Sequence, residues 1–144
     1  MTTRTDERLL AGHRGRILGT LALAWAVLQA GRLLLSPLLP AILDSLTITT
    51  VGAGVALGTL QAVYALVQYP SGRLSDALTR ASLIVPGFVV LVGAFLLLAV
   101  TPTYAVFVAA AALVGLGKGL FTIPSRALLS SLFTARRGQA LGVY

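Results

Sequence analysis

Four apolar runs of about twenty residues, each long enough to cross a bilayer as a helix, dominate this chain and leave little else for it to fold into. They are expected at 17–43, 50–71, 82–100 and 104–133, separated by short connections. The fold class that follows is an all-α integral membrane protein, a four-helix transmembrane bundle over 17–133. Residues 1–16 read as a cytoplasmic N-terminal arm. Residues 134–144 read as a cytoplasmic link and the start of a fifth helix that stops before it could cross. Composition points the same way, with 57% hydrophobic and 10% charged residues and a mean hydropathy of +0.93. A soluble domain carries about 25% charged residues to cover its surface, far more than this chain has. The first apolar run is too long for the core of a cleaved signal peptide, so it reads as a spanning helix.

Composition also removes several functions. There is no cysteine, and His13 is the single histidine, so neither a disulfide framework nor a metal site is expected. No nucleophile–base set or phosphate loop is present, so no enzyme and no cofactor are expected. Lys and Arg number 11 against 4 Asp and Glu, but the basic residues cluster at the ends of the apolar runs rather than on a nucleic-acid-binding face. That clustering sets orientation. Arg4, Arg8, Arg14 and Arg16 precede the first run, Arg73 and Arg80 lie between the second and third, and Arg136 and Arg137 follow the fourth. The alternate connections at 44–49 and 101–103 contain no Lys or Arg. By the positive-inside rule the N-terminus is cytoplasmic, and the expected location is the plasma membrane, multi-pass.

Two charges fall deep in the apolar runs. Counted from the outer ends of their helices, Arg32 and Lys118 lie roughly 16 and 21 Å in, near mid-membrane for both. No Asp or Glu shares that depth: Asp44 sits in an outer connection and Asp76 at the cytoplasmic end. A charge there costs at least about 2.5 kcal/mol, and such residues usually face a cavity or a partner. Polar residues recur around them at helical spacing: Trp25, Gln29, Arg32 and Ser36 in the first run, Gln61, Tyr64 and Gln68 in the second, Lys118, Thr122 and Ser125 in the fourth. The third run has no such stripe and is expected to face lipid. The candidate substrate pathway is therefore Gln29, Arg32, Gln61, Tyr64 and Lys118, for a small anionic or carbonyl-bearing solute. The same stripes can equally serve as hydrogen-bonding glue between helices, and this alternative stands beside the pathway for Gln61, Tyr64 and Gln68. Arg126, within two turns of the cytoplasmic end, is expected to snorkel or to pair with Asp76. Gly54 with Gly58, and Gly115 with Gly119, have the spacing that lets helix backbones approach closely.

The stretch from Gly72 to Arg80 resembles the signature between the second and third helices of the major facilitator superfamily. That signature reads Gly, any residue, Leu, Ala or Ser, Asp, two of any kind, Gly, and two basic residues. Gly72, Leu74, Ser75, Asp76 and Arg80 match it, while Thr79 and Ala81 depart from it. Arg32 to Pro40 resembles the end of a family first helix, and Leu132 to Gly142 the link from the fourth helix to the fifth. Ala111 stands where the family's fourth helix usually has an arginine. The resemblance implies transport of a small solute by alternating access, within a fold of two six-helix halves. It implies that Gly72, Asp76 and Arg80 belong to a cytoplasmic gate, with Gly72 permitting close helix contact. It also implies that this chain is the leading part of a longer transporter, inactive alone, whose partners are the lipid bilayer, the solute and the remaining helices. Two other readings are a small four-helix transporter acting as a dimer and a non-transporting membrane subunit or remnant. The first of these usually needs a carboxylate in its first helix, where this chain has Arg32.

Overall fold

The computed structural model describes residues 12–134 and 136–144, apart from the side chains of Arg32, Leu35, Ser36, Asp76 and Ala77. The expectations for Arg4 and Arg8, and for the side chains of Arg32 and Asp76, lie outside the described residues. Among those described, five helices follow one another: α1 (Gly12–Leu46), α2 (Thr50–Ala77), α3 (Ala81–Ala99), α4 (Tyr104–Leu132) and α5 (Arg137–Val143). Three of them, over Thr50–Ser75, Ala81–Ala99 and Tyr104–Leu132, are long and apolar enough to cross a membrane. The remaining expected span, 17–43, lies within the continuous helix α1 but includes side chains outside the described set.

Prolines interrupt the bonding of these helices without ending them: Pro37 and Pro40 in α1, Pro70 in α2, Pro86 in α3 and Pro124 in α4. A proline removes one backbone donor, whereas unwinding the helix in lipid would strand many more. This has a consequence for the signature. α2 runs past Pro70 to Ala77, so Gly72 to Ala77 are helical, and the link to α3 is only Leu78, Thr79 and Arg80. At the other end, α1 closes with two bonds, Thr47 N–H to the Asp44 carbonyl (3.3 Å) and Ile48 N–H to the Leu43 carbonyl (3.1 Å). This closure needs a left-handed residue, and Thr47 supplies it at φ 50 despite its branched side chain. Thr49 then caps α2 by accepting from Gly52 N–H.

The chain divides into two compact units whose boundaries fall inside α1, before Pro37, and inside α4, after Pro124. In the unit Pro37–Pro124, α4 is the central helix. Half of its most apolar stretch is buried, against 22% for α3 and 11% for α2. Glycines make this possible on two opposite faces. Gly115 and Gly119 turn one face to α2: a Cβ on Gly115 would overlap the Leu60 carbonyl oxygen, and one on Gly119 would lie 2.7 Å from Val67 Cγ1. Gly117 turns the other face to α3, where a Cβ would lie 2.9 Å from both the Gly87 oxygen and the Leu91 nitrogen. Gly87 answers from α3, its own Cβ position lying 2.9 Å from the Phe121 nitrogen. Gly54 and Gly58, by contrast, meet nothing within 4 Å. Hydrogen bonds reinforce the α2–α4 seam, from Tyr104 Oη to the Gly52 carbonyl (3.0 Å) and from Ser71 Oγ to the Gly119 carbonyl (3.0 Å, buried). Near the Tyr104 end, Ala56, Phe107 and Ala111 form a buried cluster, with Ile42, Leu46, Ile48 and Leu98 among the residues packed on it.

The other unit joins α1 as far as Ser36 to Ser125–Tyr144. Its buried residues include Leu18, Leu21 and Leu28 of α1 together with Leu129, Phe133 and Ala140. Large apolar side chains such as Leu23, Val27, Val51, Leu66, Val89 and Leu96 remain more than half exposed. A water-facing surface of this kind would be an aggregation liability, but on membrane-length helices it is a lipid-facing one. The chain is an all-α multi-pass membrane protein.

Candidate functional site

Lys118 lies between Gly117 and Gly119, the residues that hold α4 against α3 and α2. Because Gly119 has no side chain, α4 comes close enough to Tyr64 for the Lys118 ammonium to sit over the phenol ring, with Nζ 4.6 Å from its centroid. Both residues are half-buried. A cation on an aromatic face gains about 0.5–2 kcal/mol, so the ring offsets part of the cost of holding an ammonium within the apolar span. The ring carries a quadrupole and no net charge, so it positions the ammonium without neutralising it.

Around this pair the polar stripes behave differently from one another. Gln61, one turn from Tyr64, is exposed, and Gln68 is half-buried. Thr122, one turn beyond Lys118, is fully buried, and its Oγ1 has no hydrogen-bond partner among the described residues. On α2, Ser71 and Ser75 are also buried; Ser71 bonds to Gly119, whereas the Ser75 hydroxyl has no partner among the described residues. Gln61 is thus exposed and Thr122 buried on either side of the Lys118–Tyr64 pair. Gln29 is half-buried in the other unit, and Arg32 lies on α1 with its side chain outside the described residues. Of the five pathway candidates, the structure brings Tyr64 and Lys118 into contact.

Among the gate candidates, Gly72 is half-buried in the last turns of α2, and a Cβ there would meet nothing within 4 Å. The close helix contact that the resemblance implies for Gly72 is thus absent among the described residues. Close approach falls instead on Gly87, Gly115, Gly117 and Gly119. Asp76 belongs to the final turn of α2. Arg80 is half-buried just before α3, and its carbonyl accepts from Leu83 and Ile84 N–H.

Arg126 also has an aromatic partner. Its guanidinium lies over the Trp25 ring, 5.6 Å from the centroid, and Trp25 is in turn stacked on Tyr144 at 5.4 Å. The expected pairing of Arg126 with Asp76 involves a side chain outside the described residues. Both α4 cations thus meet an aromatic ring from a neighbouring helix, each within its own unit. Spacing alone marked Trp25 only as a member of the α1 stripe, and it left Gly87 and Gly117 unremarked. The signal was present in Gly115, Gly117 and Gly119, whose alternate spacing puts glycine on both sides of one helix.

The sequence model of the Major Facilitator Superfamily matches residues 21–144. No curated protein and no solved structure matches the chain.

Proposed function

The chain belongs to the Major Facilitator Superfamily, a family of membrane transporters, and from that premise we propose that it contributes α1–α4 to a secondary transporter moving a small anionic solute by alternating access. The observation that carries this reading is the Lys118 ammonium held over the Tyr64 ring on a glycine-packed helix. Such a cation attracts a carboxylate or another anionic group, and the fixed ring keeps it from snorkelling toward either surface. Gln61 and Gln29 would supply amide contacts to the solute, and Arg32 a second positive charge. Gly72, Asp76 and Arg80 would form the cytoplasmic gate, with α1 as a fourth spanning helix and the N-terminus on the cytoplasmic side of the plasma membrane. The family's members are transporters rather than enzymes, and the reading assigns no covalent step to these residues.

The test is uptake into proteoliposomes holding the whole transporter, with a panel of organic anions beside neutral and cationic analogues. Arg32→Gln and Lys118→Gln should each lower anion uptake at least tenfold, the loss expected when a desolvated charge contact of about 1.4 kcal/mol or more is removed. Wild-type rates in both variants would remove the pathway assignment. Asp76→Asn should slow transport at saturating solute, and an unchanged rate would remove the gate.

A further inference from the structure

We infer that Arg126, laid on the Trp25 ring, is a second anion-binding point, one that takes the carboxylate or phosphate group of the solute on its guanidinium fork. Two contacts build the site, both within one compact unit. The Arg126 guanidinium lies over the Trp25 ring at 5.6 Å, and Tyr144 stacks on the same ring at 5.4 Å with 21° between the planes. Trp25 is thus held by one aromatic neighbour and in turn holds a cation. The ring attracts the charge through its quadrupole but offers no acceptor, since an indole carries only an N–H donor. Among the described residues, no hydrogen bond or ion pair engages the five N–H donors of Arg126. The described residues of this unit also include no Asp or Glu. An arginine within an apolar span is retained where it meets an anion, water or a cavity.

The pair stands on packed faces. Trp25 shares its face of α1 with the buried Leu18, Leu21 and Leu28, and Arg126 shares its face of α4 with the buried Leu129 and Phe133. Even so, Trp25 is only half-buried and Arg126 is exposed, so a ligand can reach the guanidinium. The ring contact keeps that group beside α1 instead of letting it extend toward the bilayer surface. The fork then selects the ligand. It matches the two oxygens of a carboxylate or phosphate and holds both, where an ammonium acts as a point charge. Gln29, already on the proposed pathway, follows Trp25 by one turn on the same face of α1. That continuity assigns the anion to the solute rather than to a lipid headgroup, an assignment that rests on the transport reading.

Trp25 is the single tryptophan and touches the site, so its fluorescence reads occupancy directly. The full chain in neutral detergent is quenched with iodide, an anion, and with acrylamide, a neutral molecule, at constant ionic strength. Iodide gathered by Arg126 should quench Trp25 in excess of acrylamide. Succinate and inorganic phosphate should each suppress that excess, with midpoints on the order of 1–10 mM, the range open to a ligand of few atoms on one fork. Arg126→Gln should abolish both the excess and its suppression. Arg126→Lys keeps the charge without the fork and should raise the midpoints about tenfold, the loss of one charge-assisted hydrogen bond. Arg16→Gln removes the same charge about 14 Å along α1 from Trp25 and should leave the midpoints unchanged. An iodide excess that persists in Arg126→Gln would overturn the proposal. So would suppression by phosphatidylglycerol added to the micelles but not by succinate or phosphate, which would show a headgroup site. The two readings fail separately. Reduced anion uptake in Lys118→Gln without any succinate effect on Trp25 would strike this site alone, and wild-type uptake with a succinate effect would strike the Lys118 pathway alone.

Discussion

Gly115→Ala isolates the force that places Lys118. The added Cβ would overlap the Leu60 carbonyl oxygen and would lie 3.1 Å from the Tyr64 nitrogen, so the obstruction is backbone and no side-chain rotation relieves it. Restoring ordinary contact requires α2 and α4 to part by about an ångström, and overpacking of this kind costs about 1–3 kcal/mol. Separation also stretches the Ser71–Gly119 hydrogen bond, now 3.0 Å, and the Lys118–Tyr64 contact, now 4.6 Å. Against this, alanine is the better helix former by about 1 kcal/mol. With about 1 kcal/mol lost from the weakened Ser71–Gly119 bond, the net expectation is a loss of about 1–3 kcal/mol, read as a lower midpoint in thermal unfolding in a mild detergent. Gly54→Ala and Gly58→Ala are the internal controls: their Cβ atoms would meet nothing within 4 Å, so they retain the propensity gain and should be neutral or stabilising. The reasoning fails if Gly115→Ala unfolds at the wild-type temperature, or if the two α2 controls are as costly.

Three further outcomes follow from particular contacts. Ser71→Ala removes a buried hydrogen bond and should cost about 1 kcal/mol, whereas Thr122→Val removes a buried hydroxyl without a partner at nearly constant volume and should be neutral or stabilising; denaturant titration of the pair tests the contrast. Tyr64→Phe keeps the aromatic face under Lys118 and should leave stability within about 0.5 kcal/mol of wild type, whereas Tyr64→Leu should cost about 0.5–2 kcal/mol more; equal losses would remove the cation–π account. Thr47→Gly relieves a branched residue at φ 50 and should raise stability by about 1 kcal/mol, measured by thermal unfolding; a loss would mean that the bond from Thr47 Oγ1 to the Leu46 carbonyl (2.8 Å) outweighs the strain.

Much of the architecture was legible in the residue order because lipid is a simple solvent. A backbone in hydrocarbon must bond to itself, so an uncharged run such as 82–100 has few alternatives to a helix, and α3 is found at Ala81–Ala99. The Gly72–Arg80 match pointed to the family for a similar reason, since it is a local pattern that needs no knowledge of neighbours. The end of α2 was less legible. The expected span was 50–71, but the helix continues past Pro70 to Ala77 because an interrupted ladder in lipid costs less than an unwound one.

The candidate site divides along the same line. Hydropathy and helical spacing determined that Lys118 lies inside a spanning helix at about the depth of Tyr64, and that Gly115, Gly117 and Gly119 occupy both sides of that helix. Contact depends on which helices pair and how closely, and those are properties of the assembled bundle. Gly54–Gly58 and Gly115–Gly119 have the same spacing, yet one pair is open and the other packs against a neighbouring backbone. Likewise the contact of Arg126 with the Trp25 ring depends on the juxtaposition of α1 with the end of α4. Spacing along a helix sets which side a residue is on, but its partner is set by residues far away in the chain.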